Sequence, residues 1–203
     1  MAVHGNRSGR PAAGAPPAAG RGPGLHGTGI SLCGAACRRA LLHEWLPALP
    51  GVVEKLAAGA RVAEVGCGRG HSTSVMAQAF PRSVFHGFDA RAIAIGQARE
   101  HAATTSYAGR MHFALADPVS YPAARYDLIC FCAGLRDLDD PGGAAAHARA
   151  ALAPDGTALV AEHAGDEAAT VERWLQDLLH GAGFTRAGRA ARSPQHLVFG
   201  ARP

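Results

Sequence analysis

Seven consecutive residues carry the strongest chemical signal in this chain of 203: Glu64-Val65-Gly66-Cys67-Gly68-Arg69-Gly70. Glycines let a backbone turn sharply and approach a bound molecule closely, and a helix starting just beyond offers N–H groups that have no intrahelical partner. Asp89, 23 residues after Gly66, ends the next apolar run, where an acid can accept hydrogen bonds from a ribose diol. Loop and acid together imply an adenosine-containing cofactor on a Rossmann-like sheet. The dinucleotide pattern G-x-G-x-x-G is not met, because its third position counted from Gly66 falls on His71. The third glycine comes one residue early, and an acid precedes the first by two.

The elements that must position these residues alternate. Arg61–Val65 reads as a strand, followed by the glycine-rich turn and a helical stretch to Phe80, closed by Pro81. Ser83–Phe88 reads as a second strand, 92–102 as a helix and Met111–Ala116 as a third strand. Tyr126–Cys132 (YDLICFC) is an unbroken apolar run, as expected of a strand covered on both faces. A helix over 143–152, a turn at Asp155-Gly156 and a strand over Thr157–Glu162 follow. Val171, Trp174, Leu175, Leu178 and Leu179 then form the apolar stripe of a helix that Gly181 and Gly183 close. Phe184–Ala190 and His196–Ala201 are too close together for anything but a hairpin. Upstream, Leu41, Leu42, Trp45 and Leu46 repeat at helical spacing, and a short helix is expected over 51–56. The predicted fold is α/β: a doubly wound, seven-stranded, mostly parallel sheet with a C-terminal antiparallel hairpin. In such sheets ligands bind beyond the carboxyl ends of the strands.

Charge divides the chain unevenly. The net charge is +4, yet residues 1–40 hold five arginines (Arg7, Arg10, Arg21, Arg38, Arg39) and no acid, which leaves 41–203 at −1. Residues 1–29, with eight Gly and four Pro, are expected to be a disordered Gly/Ala/Pro/Arg-rich extension, and 30–203 one domain. The folded part offers no basic stripe interleaved with aromatics, so a nucleic-acid partner is not expected. No apolar run approaches the ~18–20 residues of a membrane span, and no signal-peptide pattern opens the chain, so the expected location is cytoplasmic. Five cysteines without paired ligand spacing imply no metal, and buried, reduced thiols; Cys130 and Cys132 are expected on opposite faces of their strand.

The E-x-G-x-G-x-G form resembles motif I of the class I S-adenosylmethionine-dependent methyltransferases. Asp89 matches that family's ribose-binding acid, and Ala116-Asp117-Pro118 looks like the segment that flanks the adenine. Tyr126-Asp127-Leu128 opens the fourth strand as in the family, Leu152-Ala153-Pro154-Asp155-Gly156-Thr157 resembles the turn before its fifth, and the ending through Gly181-Ala182-Gly183-Phe184 also matches. The resemblance covers about 41–203. It implies S-adenosylmethionine as cofactor, held by Glu64, Gly66, Cys67, Gly68, Gly70, Asp89, Ala90, Asp117, Pro118 and Cys132, and methyl transfer to a small-molecule acceptor. The alternative is an S-adenosylmethionine-binding protein with little or no catalysis.

More narrowly, Leu46–Glu54, His86–Asp89 and Leu138–Pro141 are similar to the methyltransferase domain of bacterial winged-helix/methyltransferase "transcriptional regulator" proteins. The chain departs from that subgroup in three places. The N-terminal extension stands where the winged helix would be, His163–Asp166 is a short link between the fifth strand and the last helix, and Arg136 takes a position where His is usual. Arg136 either pairs with Asp137, Asp139 or Asp140 or receives an anionic substrate. His163, just past the fifth strand, is the one candidate for a proton-transfer role. His71 opens the helix after the loop, as a solvated residue or a ligand contact.

Overall fold

A computed structural model describes residues 29–132 and 134–203. The extension expected over 1–29 therefore lies outside the described residues, apart from Gly29. Among the described residues six helices and seven strands run in the order α1 (Gly29–Ala40), α2 (Val52–Ala58), β1 (Arg61–Val65), α3 (His71–Ala79), β2 (Val84–Asp89), α4 (Ala92–Ala103), β3 (Met111–Leu115), β4 (Tyr126–Cys132), α5 (Pro141–Ala151), β5 (Leu152–His163), α6 (Ala168–Gly181), β6 (Arg186–Arg192) and β7 (His196–Arg202). Gly34, at φ 61, interrupts α1, and a π-helical turn over Leu41–Trp45 continues it.

The sheet order is β3-β2-β1-β4-β5-β7-β6. Strands β1 to β5 are parallel, and β7 is antiparallel to both β5 and β6. This is the predicted doubly wound sheet with its C-terminal hairpin. The chain builds outward from β1 to β3 and then restarts at β4 on the other side of β1. That reversal opens a crevice beyond the carboxyl ends of β1 and β4.

Alternation along the strands divides the core into two layers. Val62, Phe85, Leu128, Cys130 and Cys132 pack on one face with Leu41, Leu46, Leu56 and Met76. Ala63, Phe88, Ile129, Phe131 and Val160 pack on the other with Val171, Leu175 and Leu179 of α6. Cys130 and Cys132 thus share a face, against expectation, because residues two apart on a strand point the same way. Cys37, Cys67, Cys130 and Cys132 are all buried, with the Cys37 thiol 3.8 Å from His196 Nε2.

Other departures are local. Strand β5 begins at Leu152, which pairs with Tyr126, and the register then jumps so that Thr157 pairs with Leu128; the Pro154-Asp155-Gly156 turn is an excursion within the strand rather than its start. The hairpin begins two residues late because Phe184 is buried beneath α6, where its N–H donates to Leu179 O at 3.1 Å. Helix α5 starts with Pro141 in its first turn, capped by Asp140, whose side chain accepts from Gly143 N–H at 2.8 Å. Among the described residues no helix is long and apolar enough to cross a membrane.

Candidate functional site

The Gly66–Gly70 loop joins β1 to α3 at the crevice. Gly66 and Cys67 donate their N–H groups to Phe88 O at 2.8 and 3.0 Å, which ties the loop to the end of β2. Gly66 holds φ 73, and a Cβ there would meet open space; Gly70 holds φ 72, and a Cβ would lie 2.7 Å from Phe113 Cζ. The first glycine leaves an open approach to the backbone, while the second is required by packing. Gly68 donates its N–H to Asp89 Oδ2 at 2.9 Å, so loop and acid are joined directly.

Asp89 is only 5% exposed. Besides Gly68, its carboxylate accepts from Arg91 N–H and Nε at Oδ1, both at 3.0 Å, and from Arg91 Nη2 at Oδ2, at 3.1 Å. Ala90 follows, exposed. Across the β2–β3 ladder Asp89 faces Leu115, and Ala116 N–H donates to Asp89 O at 3.1 Å, so the segment 115–119 lies beside the acid. There Asp117 is exposed and accepts from Val119 N–H at 2.9 Å, with Pro118 partly buried in the turn. Ile93 in the first turn of α4, Leu115 at the end of β3 and Val119 in the segment after it are exposed large apolar side chains. Sequence reasoning missed these three, whose signal is an apolar residue just past a strand end or at its last position.

Glu64 turns inward. Its buried carboxylate accepts from Ser72 Oγ and Thr73 Oγ1 in the first turn of α3. Burial pushes the carboxyl up to about 7, against the lowering effect of the Ser72 and Thr73 hydroxyls, the Thr73 backbone N–H and the Cys132 thiol. In this structure Glu64 holds the loop to the start of the helix. Cys67 and Cys132 are buried as well, and both thiols are pushed up, Cys67 chiefly by burial and Cys132 first by its bond with Cys130. Their side chains face the core.

The remaining candidates lie apart from Asp89 in the contacts they make. His71 packs edge-on against His101, ring centroids 4.8 Å apart, in a cleft of about 370 Å³ that Arg69, Gln97 and Glu100 also line. Burial, helped by His101, Arg38 and Arg69, lowers its pKa. His163 is exposed at the end of β5, its ring 5.5 Å from His196 of β7. Arg136 does not pair with Asp137, Asp139 or Asp140. Its side chain is 7% exposed, with Nη1 3.6 Å from Glu167 Oε2 and Nη2 donating to His163 O at 3.4 Å. Sequence reasoning also missed Glu162, 3% exposed, which accepts Arg136 N–H at 3.2 Å and whose carboxyl burial pushes up to about 7. An acid closing an apolar strand was the available signal.

A methyltransferase-domain family profile matches residues 37–195, and the chain belongs to that family. The chain is 32% identical over 124 residues to the trans-aconitate 2-methyltransferase of Streptomyces avermitilis, covering 61% of this chain and 46% of the relative. It thus spans less than half the length of that protein. Among solved structures, it is similar to the N,N-8-amino-8-demethyl-D-riboflavin dimethyltransferase of Streptomyces davawensis, with TM-score 0.65, 19% identity, and coverage of 85% of this chain and 55% of that one. The magnesium protoporphyrin IX methyltransferase of Synechocystis PCC 6803, solved with bound S-adenosylmethionine, matches at TM-score 0.53 and 20% identity, over 75% of this chain and 77% of that one. The family implies S-adenosylmethionine as methyl donor.

Proposed function

We propose that the protein binds S-adenosylmethionine at the β1–β2 edge of the crevice and transfers its methyl group to a small-molecule acceptor. The observation that carries this reading is the Gly68 N–H bond to Asp89, which sets a ribose-binding acid against an open glycine loop. The residues present fit the cofactor. Gly66 leaves room over the backbone, Asp89 and Ala90 take the ribose side, and Asp117 and Pro118 take the adenine side between the exposed Ile93, Leu115 and Val119. Gly70, Cys67, Glu64 and Cys132 shape the loop from beneath, the first two by backbone, Glu64 by holding the start of α3 and Cys132 through its thiol on Glu64.

When bound, S-adenosylmethionine supplies a methyl group already activated on a sulfonium, which passes to the acceptor by in-line SN2 displacement. The chain's task is to align the acceptor and exclude water. No base is required of it, and His163, turned toward His196, remains the one candidate for moving a proton. The kinship with winged-helix/methyltransferase regulators and a cytoplasmic location belong to the same reading.

Calorimetry with S-adenosylmethionine tests it. Binding by the parent, lost in Asp89→Ala and Gly66→Val, is the expected result; no binding, or equal affinity in all three, overturns it. The non-catalytic alternative draws on the short link from β5 to α6, a single turn over Gly165–Glu167, which leaves little chain to cover an acceptor. Labelled S-adenosylmethionine incubated with cell extract separates the two, because label in any metabolite rejects that alternative.

A further inference from the structure

A second polar centre lies at the carboxyl ends of β4 and β5, on the same edge of the sheet as the glycine loop. Arg136 is its middle. A guanidinium carries five N–H donors, and buried donors ordinarily find acceptors. Here Nε and Nη1 are buried with no hydrogen-bond partner among the described residues. Nη1 has only Glu167 at 3.6 Å, beyond hydrogen-bond distance, and Glu167 is 51% exposed. The other acid at hand, Glu162, takes the Arg136 backbone N–H rather than the guanidinium. A cation has been folded in beside the crevice with Nη2 on His163 O at 3.4 Å and its Nε and Nη1 donors unmatched.

We propose that Arg136 is the seat for a carboxylate of the methyl acceptor, which makes the substrate class an organic acid. The inference rests on the cofactor reading above and goes beyond it. A planar carboxylate matches the donor fork of a guanidinium and provides the missing acceptors. The neighbouring acids do not oppose it. Burial raises the Glu162 carboxyl and removes part of its charge near neutral pH, and Glu167 is exposed enough to turn to solvent. A carboxylate acceptor arrives already ionised near neutral pH, so seating it on Arg136 asks for no proton to be removed.

The test uses the full chain saturated with S-adenosylhomocysteine. A panel of mono-, di- and tricarboxylic acids, aliphatic and aromatic, is titrated by calorimetry, each beside its methyl ester. At least one acid binds, and its ester binds about tenfold or more weakly, as loss of a charge-assisted pair requires. Arg136→Met loses that acid while its S-adenosylhomocysteine affinity stays within about twofold, and Arg136→Lys retains part of the acid affinity. Failure of every acid to bind, equal binding of acid and ester, or an Arg136→Met variant that keeps the acid overturns the proposal. Should Arg136→Met not fold, the acid-over-ester preference of the unaltered protein and the weakening in Arg136→Lys decide instead. A parent that binds no S-adenosylhomocysteine overturns the cofactor reading itself, and this proposal with it.

Discussion

Asp89 and Arg91 are joined through both carboxylate oxygens: Arg91 N–H and Nε reach Oδ1, and Nη2 reaches Oδ2. With Gly68 N–H the carboxylate has four donors, about as many as its lone pairs can accept. A ribose diol must therefore displace part of this set. Arg91 is the part that can move, since its side chain is 45% exposed. Such an ion pair is worth about 0.2–1 kcal/mol. Arg91→Ala should tighten S-adenosylhomocysteine binding about two- to fivefold in calorimetry. Added salt should narrow the gap between parent and variant by screening the pair. Weaker binding by the variant would mean that Arg91 contributes to the site instead of competing for it.

Gly70 and Phe113 form a close pair, and their cost can be divided by a double-mutant cycle. Gly70→Ala puts a Cβ at φ 72 and 2.7 Å from Phe113 Cζ. The left-handed backbone costs about 1–2 kcal/mol and the overlap about 1–3 more. Phe113→Leu should relieve the overlap but not the backbone strain. In denaturant unfolding the double variant should be more stable than the two single losses add to, and simple additivity would show that Phe113 yields freely.

Glu64 should matter for stability and binding together. Glu64→Ala leaves Ser72 Oγ, Thr73 Oγ1 and the Thr73 N–H without their acceptor. Each buried group left unmatched costs about 1–3 kcal/mol. The unfolding midpoint should fall, and S-adenosylhomocysteine affinity with it, because the loop loses its tie to α3. Glu64→Gln, which keeps an acceptor oxygen, should lose less on both measures. Unchanged affinity in Glu64→Ala would separate the loop's shape from this carboxylate.

What the sequence made legible was what a short stretch of chain decides by itself. Strands β1 and β4 lie where expected because each is an apolar run cut off sharply, β1 by Gly66 and β4 at its start by Arg125. The glycine loop and Asp89 were visible because backbone conformation and strand ends leave their mark on residue type. The register jump after Leu152 depends on pairing with β4, and the late start of β6 depends on where Phe184 finds the core; neither is a local property. The same holds for Arg136. Its sequence neighbours suggested pairing with Asp137, Asp139 or Asp140, but Asp140 caps α5 and Glu167 arrives from the turn after β5. Glu162 looked like the polar end of a strand until β7 and the segment after β4 buried it.

Burial gives Glu162 a pH dependence whose sign is fixed by its pKa. The folded value lies at about 7, above the ordinary 4.5, with burial as the largest cause, opposed by the Arg136 N–H and charge. The folded state thus favours the protonated carboxyl. Its contribution is fully present below 4.5 and is lost as pH rises through 7. Over that window the loss is on the order of 3 kcal/mol. Glu162→Gln keeps a neutral acceptor for the Arg136 N–H and cannot ionise, so it should gain stability relative to the parent between pH 5 and pH 8. Glu64 carries the same sign, while His86 and His196, whose pKa values burial lowers, carry the opposite one. All three remain in both proteins and largely cancel in the difference. Thermal midpoints measured in parallel should be similar at pH 5 and separate in favour of Glu162→Gln at pH 8. A difference that does not grow with pH would mean that Glu162 stays ionised throughout and that the Arg136 charge outweighs its burial.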